Sequence, residues 1–204
     1  DDGNKFVFLG WSTDPNSENF FDQENTFISK NIVLYAIWAE AENYVLEAKL
    51  LKENNSTLED TVYGTIDHNT KTIYFPIKTK EKTSGSYAIN ISVSKGAVCS
   101  LVNGSLVHLT TDGNQNVVVS DIYGEQYVYA LKLVEVPDDA KRIAYITKEG
   151  IISGISDSKL YLRSESADID LKTVSVARIG CFFNGWTLMS DGSGKIDNLS
   201  YEKL

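Results

Sequence analysis

The sequence predicts a mainly β protein built around a central β-sandwich. Between residues 61 and 136, short runs rich in Val, Ile, Thr and aromatic residues recur about every ten residues, with turn residues between them. The chain contains 11 Tyr and 8 Phe, residue types that favour strands. No part of this central block keeps a helical period over several turns. We therefore expect stacked sheets.

The first strand is predicted at residues 4–11, and a loop rich in Asp, Asn, Ser and Pro follows it. The second strand, Asn31–Trp38, carries apolar residues on both faces. A strand of this kind is expected to be central in its sheet. Residues 39–43 form a polar joint, so residues 1–40 are predicted to be one module.

The central block, residues 42–136, begins at Val45–Leu51, whose composition fits either a helix or a strand. Residues 61–67 and 71–77 flank a polar turn and predict a hairpin. Pro76 predicts an edge or a strand end, because proline has no N–H to donate. Asp112-Gly113-Asn114 is interpreted as a hairpin turn. Further strands are predicted at residues 87–93, 97–101, 106–109, 117–120 and 126–136.

A third module is predicted at residues 141–204, after a joint at Pro137-Asp-Asp139. Its strands are expected at residues 141–146, 158–163, 172–176 and 180–186. Ser164–Asp170 is the one segment for which a short helix is predicted.

A short phrase occurs near each end of the chain. Phe6-Val-Phe-Leu-Gly-Trp11 and Cys181-Phe-Phe-Asn-Gly-Trp186 both place an aromatic residue two positions before Gly-Trp, and polar, turn-rich residues follow each phrase. Repeated strand-and-turn units are typical of modular arrays. The repeat therefore favours a structural or adhesive protein over a catalytic one.

The bulk charge argues against two classes of partner. The formal net charge is −9, whereas nucleic acids and anionic lipids are bound by basic patches. No apolar run is long enough to span a bilayer. No signal peptide is visible and the chain begins within a strand pattern, so we expect a fragment of a longer protein.

No catalytic residue, cofactor or metal ligand is predicted. Cys99 and Cys181 are interpreted as small buried residues, because a disulfide framework needs more cysteines at closer spacing. His68 and His108 are isolated, without a nucleophile or metal-ligand context. Asp191–Asp197 resembles a calcium loop in spacing, but the fifth position is a lysine, which would oppose Ca²⁺. An isopeptide bond from Lys49 is disfavoured because no matching Asn stands in the last strand.

The three tryptophans, Trp11, Trp38 and Trp186, have two possible roles. They could form an aromatic platform for sugars, or they could be the core of small domains that have little else to bury. Their fixed place in a repeated phrase favours the core. Gly10 and Gly185 are predicted to permit close packing or an unusual backbone angle.

Both ends of the chain resemble the Listeria–Bacteroides repeat, the internalin B-repeat type. The residues that carry this resemblance are Phe6–Trp11 with the closing Val33-Leu-Tyr-Ala-Ile-Trp38, and residues 141–204 as far as Gly185-Trp186 and the following turn. The second copy lacks the closing strand and has Cys181 where an aromatic residue is usual. The resemblance implies small β-grasp-like modules in bacterial cell-surface proteins.

The central block is similar to bacterial Ig-like domains of surface and adhesin-type proteins. The matching residues are Val62–Asp67, Lys71–Tyr74, the Ser94–Ala97 turn and Gly124–Leu133. Together the resemblances imply an Ig-like sandwich flanked by β-grasp-like repeats, outside the cell or in the cell wall.

The expected function is that of a non-enzymatic adhesion and spacer module. Its expected partner is an unidentified extracellular protein or glycan, and no ligand-binding residue can be named from the sequence. The alternative is a carbohydrate-binding accessory module of a larger secreted enzyme.

Overall fold

The computed structural model describes residues 6–16, 20–22, 31–40, 42–83, 86–147, 150–178, 181–189 and 193–203. Within these ranges the ordered elements are β-strands and single 3-10 turns, without any α-helix. The prediction of a mainly β protein is therefore confirmed. The same ranges hold no helix that is long and apolar enough to cross a membrane.

The N-terminal segment forms a two-stranded antiparallel sheet from β1 (Phe6–Ser12) and β2 (Tyr35–Glu40). In their register Phe8 lies opposite Trp38, and the ladder shifts by one residue between Phe8 and Gly10. Gly10 has a φ of 152°, so the prediction of an unusual backbone angle is confirmed. β2 begins later than predicted, and β1 is the one strand that pairs with it among the described residues.

The central block forms two sheets. Their strands are β3 (Val45–Leu50), β4 (Val62–Tyr63), β5 (Thr65–Asp67), β6 (Thr72–Lys78), β7 (Tyr87–Val93), β8 (Val98–Cys99), β9 (Ser105–Val107), β10 (Gln115–Ser120) and β11 (Gln126–Val136). One sheet has the order β4-β3-β7-β9 and the other β5-β6-β11-β10-β8. Both contribute to one hydrophobic core, in which Val45, Phe75 and Tyr129 are fully buried. Burying such apolar side chains stabilises the fold by about 1.5–3 kcal/mol each.

Gly64 marks the point at which the chain passes from one sheet to the other. β4 pairs with β3 and β5 pairs with β6, so the strand predicted at residues 61–67 is divided between two sheets. A Cβ atom on Gly64 would lie 2.8 Å from Cγ2 of Ile73 and 3.0 Å from Cε1 of Phe75. The absence of a side chain lets the crossing strand lie directly on the core.

Pro76 lies inside the five-stranded sheet, in β6, where it is opposite Val134 of the parallel strand β11. The pairing of β6 with β5 ends at Tyr74. At Pro76 the strand therefore has β11 alone as a ladder partner, and a residue without an N–H is tolerated there. The expectation of an edge position is correct for this end of β6, although the strand itself is internal.

The turn at Asp112–Asn114 does not close a hairpin. Gly113 has the expected left-handed backbone, with a φ of 71°, but the turn joins β9 in one sheet to β10 in the other. The hairpin prediction is wrong because turn residues specify a local reversal of the chain and do not specify which strands pair.

The C-terminal segment is built from short strand pairs around a second core. Its strands are β12 (Lys141–Arg142), β13 (Ile151–Ser153), β14 (Tyr161–Leu162), β15 (Ile169–Asp170), β16 (Ser175–Ala177), β17 (Trp186–Thr187), β18 (Lys195–Ile196) and β19 (Asn198–Leu199). They pair as β12-β14, β13-β16, β15-β19 and β17-β18. The second core includes Tyr145, Leu160, Leu171 and Leu199.

The short helix predicted at Ser164–Asp170 does not form. The segment instead begins with a tight turn, in which Ser166 Oγ accepts a hydrogen bond from Arg163 N, and it ends in β15. Asp170 Oδ1 then accepts from Lys172 N and caps a 3-10 turn. Ser and Asp side chains compete with helix formation by such local bonds.

The last part of β11 links the two cores. Tyr129, Leu131 and Leu133 belong to the first core, whereas Val134 and Val136 belong to the second. A buried hydrogen bond from Tyr145 N to Thr65 Oγ1, 2.9 Å long, also crosses between the cores. The domain limits proposed from the sequence stay a prediction, but the two cores share a strand.

Candidate functional site: an aromatic cleft beside the second core

An open cleft of about 1250 Å³ lies where the two cores meet. Its walls include residues of the segments 140–147 and 183–189. Residues 60–63, together with Pro76 and Lys78, line it from the central block, and Val176 lines it from β16. Clefts at such boundaries are the usual position of ligand and partner sites.

Trp186 is the anchor of the aromatic wall. Its Nε1 donates to the carbonyl oxygen of Val174 at 2.9 Å, and its ring meets Tyr145 and Phe183 edge to face, with centroids 5.1 and 5.2 Å away. Phe183 is 44 % exposed, and Met189, which also lines the cleft, is exposed. The cleft therefore presents apolar surface on a fixed aromatic support.

The polar side of the cleft is organised by Arg142. Its guanidinium pairs with the buried Glu81 carboxylate, and Nη2 lies 3.9 Å from Asp60 Oδ2. Glu81 also accepts hydrogen bonds from the backbone N–H groups of Glu59, at 2.8 Å, and Lys78, at 3.1 Å. The charge of Arg142 is thus balanced within the fold by Glu81 and Asp60.

A second ion-pair group lies next to this one, on Glu59. Hydrogen bonds from Lys80, which has the larger effect, and from Lys78 lower the pKa of the Glu59 carboxyl to about 2. Because Glu59 is exposed, solvent screens these pairs, and they contribute little to stability.

The structure brings neither histidine to the cleft. His68 is buried, with Nδ1 2.9 Å from the hydroxyl of Tyr129, and burial raises the pKa of Tyr129. Lys71 Nζ lies 3.8 Å from the ring centroid of Tyr127, and burial lowers the pKa of this lysine. The burial of His68 and its contact with Tyr129 fit the structural role expected of this histidine. His108 is exposed and follows β9.

The two cysteines differ from each other. Cys99 is half-buried against the first core, and burial raises the pKa of its thiol. Cys181 is exposed, so its predicted burial is wrong. The segment that carries Cys181 pairs with no described strand, which leaves the side chain at the surface.

Lys49, considered for an isopeptide bond, instead pairs with Glu47 at 2.6 Å.

No group of three or more His, Cys, Asp and Glu side chains suited to a metal ion occurs in the part of the chain that the structure describes. Asp191 and Gly192, which begin the loop with calcium-like spacing, lie outside those residues. Lys195, the fifth residue of that loop, donates to Asn184 Oδ1 at 2.5 Å.

The tryptophans do not share one role. Trp186 packs against the second core, as predicted. Trp11 and Trp38 are 37 % and 58 % exposed, so the core interpretation is wrong for them. Among the residues that the structure describes, the sheet of β1 and β2 has two strands, too few to enclose these rings.

Comparisons with known proteins identify no repeat family. No protein-family model matches the chain, and no curated protein matches it. Among solved structures, one similar chain is a DUF4623 family protein from Bacteroides eggerthii, with 19% sequence identity and a TM-score of 0.37. The match covers 54% of this chain and 24% of that one, so this chain spans about a quarter of that protein's length.

Proposed function

We propose that this chain is a non-enzymatic part of a modular bacterial cell-surface protein, and that it acts outside the cell as a spacer and adhesion module. The fold proposed with this function is an Ig-like sandwich at residues 42–136, flanked by β-grasp-like repeat modules at residues 1–40 and 141–204.

The observation that carries this proposal is the junction between the two cores. β11 contributes Leu133 to the first core and Val134 to the second, and the buried Glu81–Arg142 pair spans the same boundary. A spacer must hold each module at a fixed distance and angle from the next, and a flexible linker cannot do this. A junction made of a shared strand and a buried ion pair holds its angle.

The adhesive part of the function is tested with beads that carry the purified chain in one orientation. The beads are passed under flow over immobilised extracellular matrix proteins and glycans. Retention by one of these surfaces, reduced by Phe183→Ser in the cleft, supports the proposal. The matched control is Leu106→Ser, which alters an exposed apolar residue of β9 away from the cleft.

The non-enzymatic part is tested with the same protein. Turnover of a glycan, peptide or ester substrate that is abolished by His68→Gln, or by substitution of one carboxylate, would contradict the proposal. Retention on no surface in the flow assay would contradict the adhesive role.

The second candidate function is carbohydrate binding as an accessory module of a secreted enzyme. The observation that favours it is the exposed face of Phe183 in a cleft that is also lined by Thr61 and Thr187. Aromatic faces beside hydroxyl groups suit the apolar and polar sides of sugar rings. Binding on a glycan array that Phe183→Ala removes, with unchanged thermal stability, would favour this candidate.

A further inference from the structure

Asparagine is followed by glycine at two positions of the chain, Asn103-Gly104 and Asn184-Gly185. Both asparagines are exposed, and both glycines have positive φ angles, 87° and 115°. An asparagine before glycine loses its side-chain amide readily, because glycine has no Cβ to keep its backbone nitrogen away from that side chain. The two dipeptides are alike in sequence and in exposure, but their hydrogen bonds differ.

At the first dipeptide the groups that would react are already bonded to β7. Gly104 N donates to the carbonyl oxygen of Ile89 at 2.9 Å and to Oδ1 of Asn90 at 3.1 Å. Oδ1 of Asn103 accepts from Ile91 N at 2.8 Å. These bonds must open before Gly104 N can reach the side-chain carbon of Asn103, so the fold protects this asparagine.

At the second dipeptide the nitrogen is available. Gly185 N has no hydrogen-bond partner among the residues that the structure describes. Oδ1 of Asn184 accepts from Lys195 Nζ at 2.5 Å, and Cδ of the same lysine lies 3.6 Å from the place that a Cβ atom on Gly185 would take. An ammonium group on the amide oxygen stabilises the negative charge that develops there when a nucleophile adds to the carbon.

We propose that Asn184 is a site of spontaneous covalent modification, in which the nitrogen of Gly185 displaces the side-chain amide and Lys195 assists. A base in the solvent removes the proton of Gly185 N, and the nitrogen attacks Cγ of Asn184. The bond between Gly185 N and Cγ forms and the bond between Cγ and Nδ2 breaks. Nδ2 takes up a proton from the solvent and leaves as ammonia. The product is a cyclic imide.

Water then opens the imide at one of its two carbonyl carbons. Cleavage between Gly185 N and Cγ leaves an aspartate at position 184. Cleavage between Gly185 N and the backbone carbonyl carbon leaves an isoaspartate, in which the chain runs through Cγ. Either route consumes one water and releases one ammonia, with no oxidation or reduction.

The modification would change the cleft. Both products place a carboxylate beside Lys195 where a neutral amide stood. Isoaspartate also lengthens the backbone between Phe183 and Trp186, which line the cleft and whose ring centroids are 5.2 Å apart. The inference goes beyond the proposed function, because it depends on Asn184, Gly185 and Lys195 and not on what the cleft binds.

The full chain is incubated in mildly alkaline buffer, and conversion at both asparagines is followed by mass spectrometry of chromatographically separated peptides. In the folded chain Asn184 should convert at least about tenfold faster than Asn103, because the bonds of Asn103 and Gly104 must first open. In concentrated urea the two rates should become nearly equal. Each asparagine has a large apolar residue before it and glycine after it, and Lys195 is distant once the chain is unfolded.

Lys195→Met tests the assistance, since it keeps the side-chain stem and removes the ammonium group. This variant should slow conversion of Asn184 at least about threefold and leave Asn103 unchanged. The matched control is Lys95→Met, which alters an exposed lysine of the central block and should change neither rate. Near-ultraviolet circular dichroism checks that both variants keep their fold.

The proposal is overturned by equal rates at Asn184 and Asn103 in the folded chain, or by a difference that persists in urea. It is also overturned if the folded Lys195→Met variant converts as fast as the unmodified chain, or if Lys95→Met slows Asn184 equally. The comparison with urea needs no variant, so it decides the matter even if Lys195→Met does not fold.

Discussion

The Arg142 guanidinium forms an ion pair with the Glu81 carboxylate across the boundary between the two hydrophobic cores. The side chains are 13% and 1% exposed, and Glu81 is also bonded by the backbone of Glu59 and Lys78. The carboxylate thereby joins three segments of the chain. A buried carboxylate is tolerated when its hydrogen bonds are satisfied in this way.

Arg142→Leu should lower the free energy of unfolding by about 3–5 kcal/mol, because it leaves the Glu81 charge buried without its partner. Urea denaturation measures the change. Lys172→Ala, which removes an exposed pair with Asp197, is the matched control and should cost no more than about 1 kcal/mol. Equal losses in the two variants would show that the buried pair has no special role.

Thr65→Val should lower the free energy of unfolding by about 1–3 kcal/mol. The substitution keeps the shape of the side chain but removes the oxygen that accepts from Tyr145 N, and it leaves that buried N–H unsatisfied. Thr72→Val is the control, since its hydroxyl bonds to the carbonyl of Thr70 at the surface. The same urea titration compares the two, and a neutral Thr65→Val would contradict the importance of this contact.

Gly64→Ala should be destabilising by about 1–3 kcal/mol, because the new methyl group would overlap Ile73 and Phe75 in a packed core. Gly104→Ala isolates the backbone effect, since Gly104 has a φ of 87° and open space around the position of a Cβ atom. We expect a loss of about 1 kcal/mol there. Thermal unfolding followed by circular dichroism gives both values. A smaller loss for Gly64→Ala than for Gly104→Ala would argue against close packing at the crossing.

Stability should fall as the pH rises from about 10 to about 12. Burial raises the pKa of Tyr145 to about 12, whereas tyrosine in an unfolded chain titrates near 10. In that window the unfolded state loses the proton while the folded state keeps it, so the free energy of unfolding decreases with pH. Tyr145→Phe should reduce the slope, as measured by urea unfolding at several pH values.

Burial raises the pKa of Tyr129 as well, so Tyr129→Phe should also reduce the slope. The slope, and not the stability at neutral pH, is the informative quantity, because Tyr129→Phe also removes the contact with His68. An unchanged slope in both variants would rule out this linkage.

The strands of the central sheets could be predicted well where alternation is regular. Tyr87–Val93 and Gln126–Val136 have the predicted bounds. In β11 the alternation breaks at Leu133-Val134, because the first residue faces one core and the second faces the other. The two adjacent apolar residues are visible in the sequence. That they face different cores can be inferred only when the second core is known.

The pairing of the strands could not be predicted in the same way. The division at Gly64 depends on contacts with Ile73 and Phe75, and the turn at Gly113 joins two sheets because of packing and not because of its own residues. The repeated Gly-Trp phrase predicts the core role of Trp186, which packs against the second core, but it does not indicate a cleft beside this ring. Glu81 and Arg142 could not be predicted as a pair, since they are 61 residues apart and no local pattern distinguishes them from surface charges.

The position of β11 has a mechanical consequence. The strand is paired in parallel with β6 and antiparallel with β10, and it ends at Val136, within the second core. Tension that reaches Val136 along the strand axis pulls β11 lengthwise against both neighbours. The ladder bonds are then loaded together in shear instead of opening one after another, so the strand that joins the cores is also well placed to resist extension.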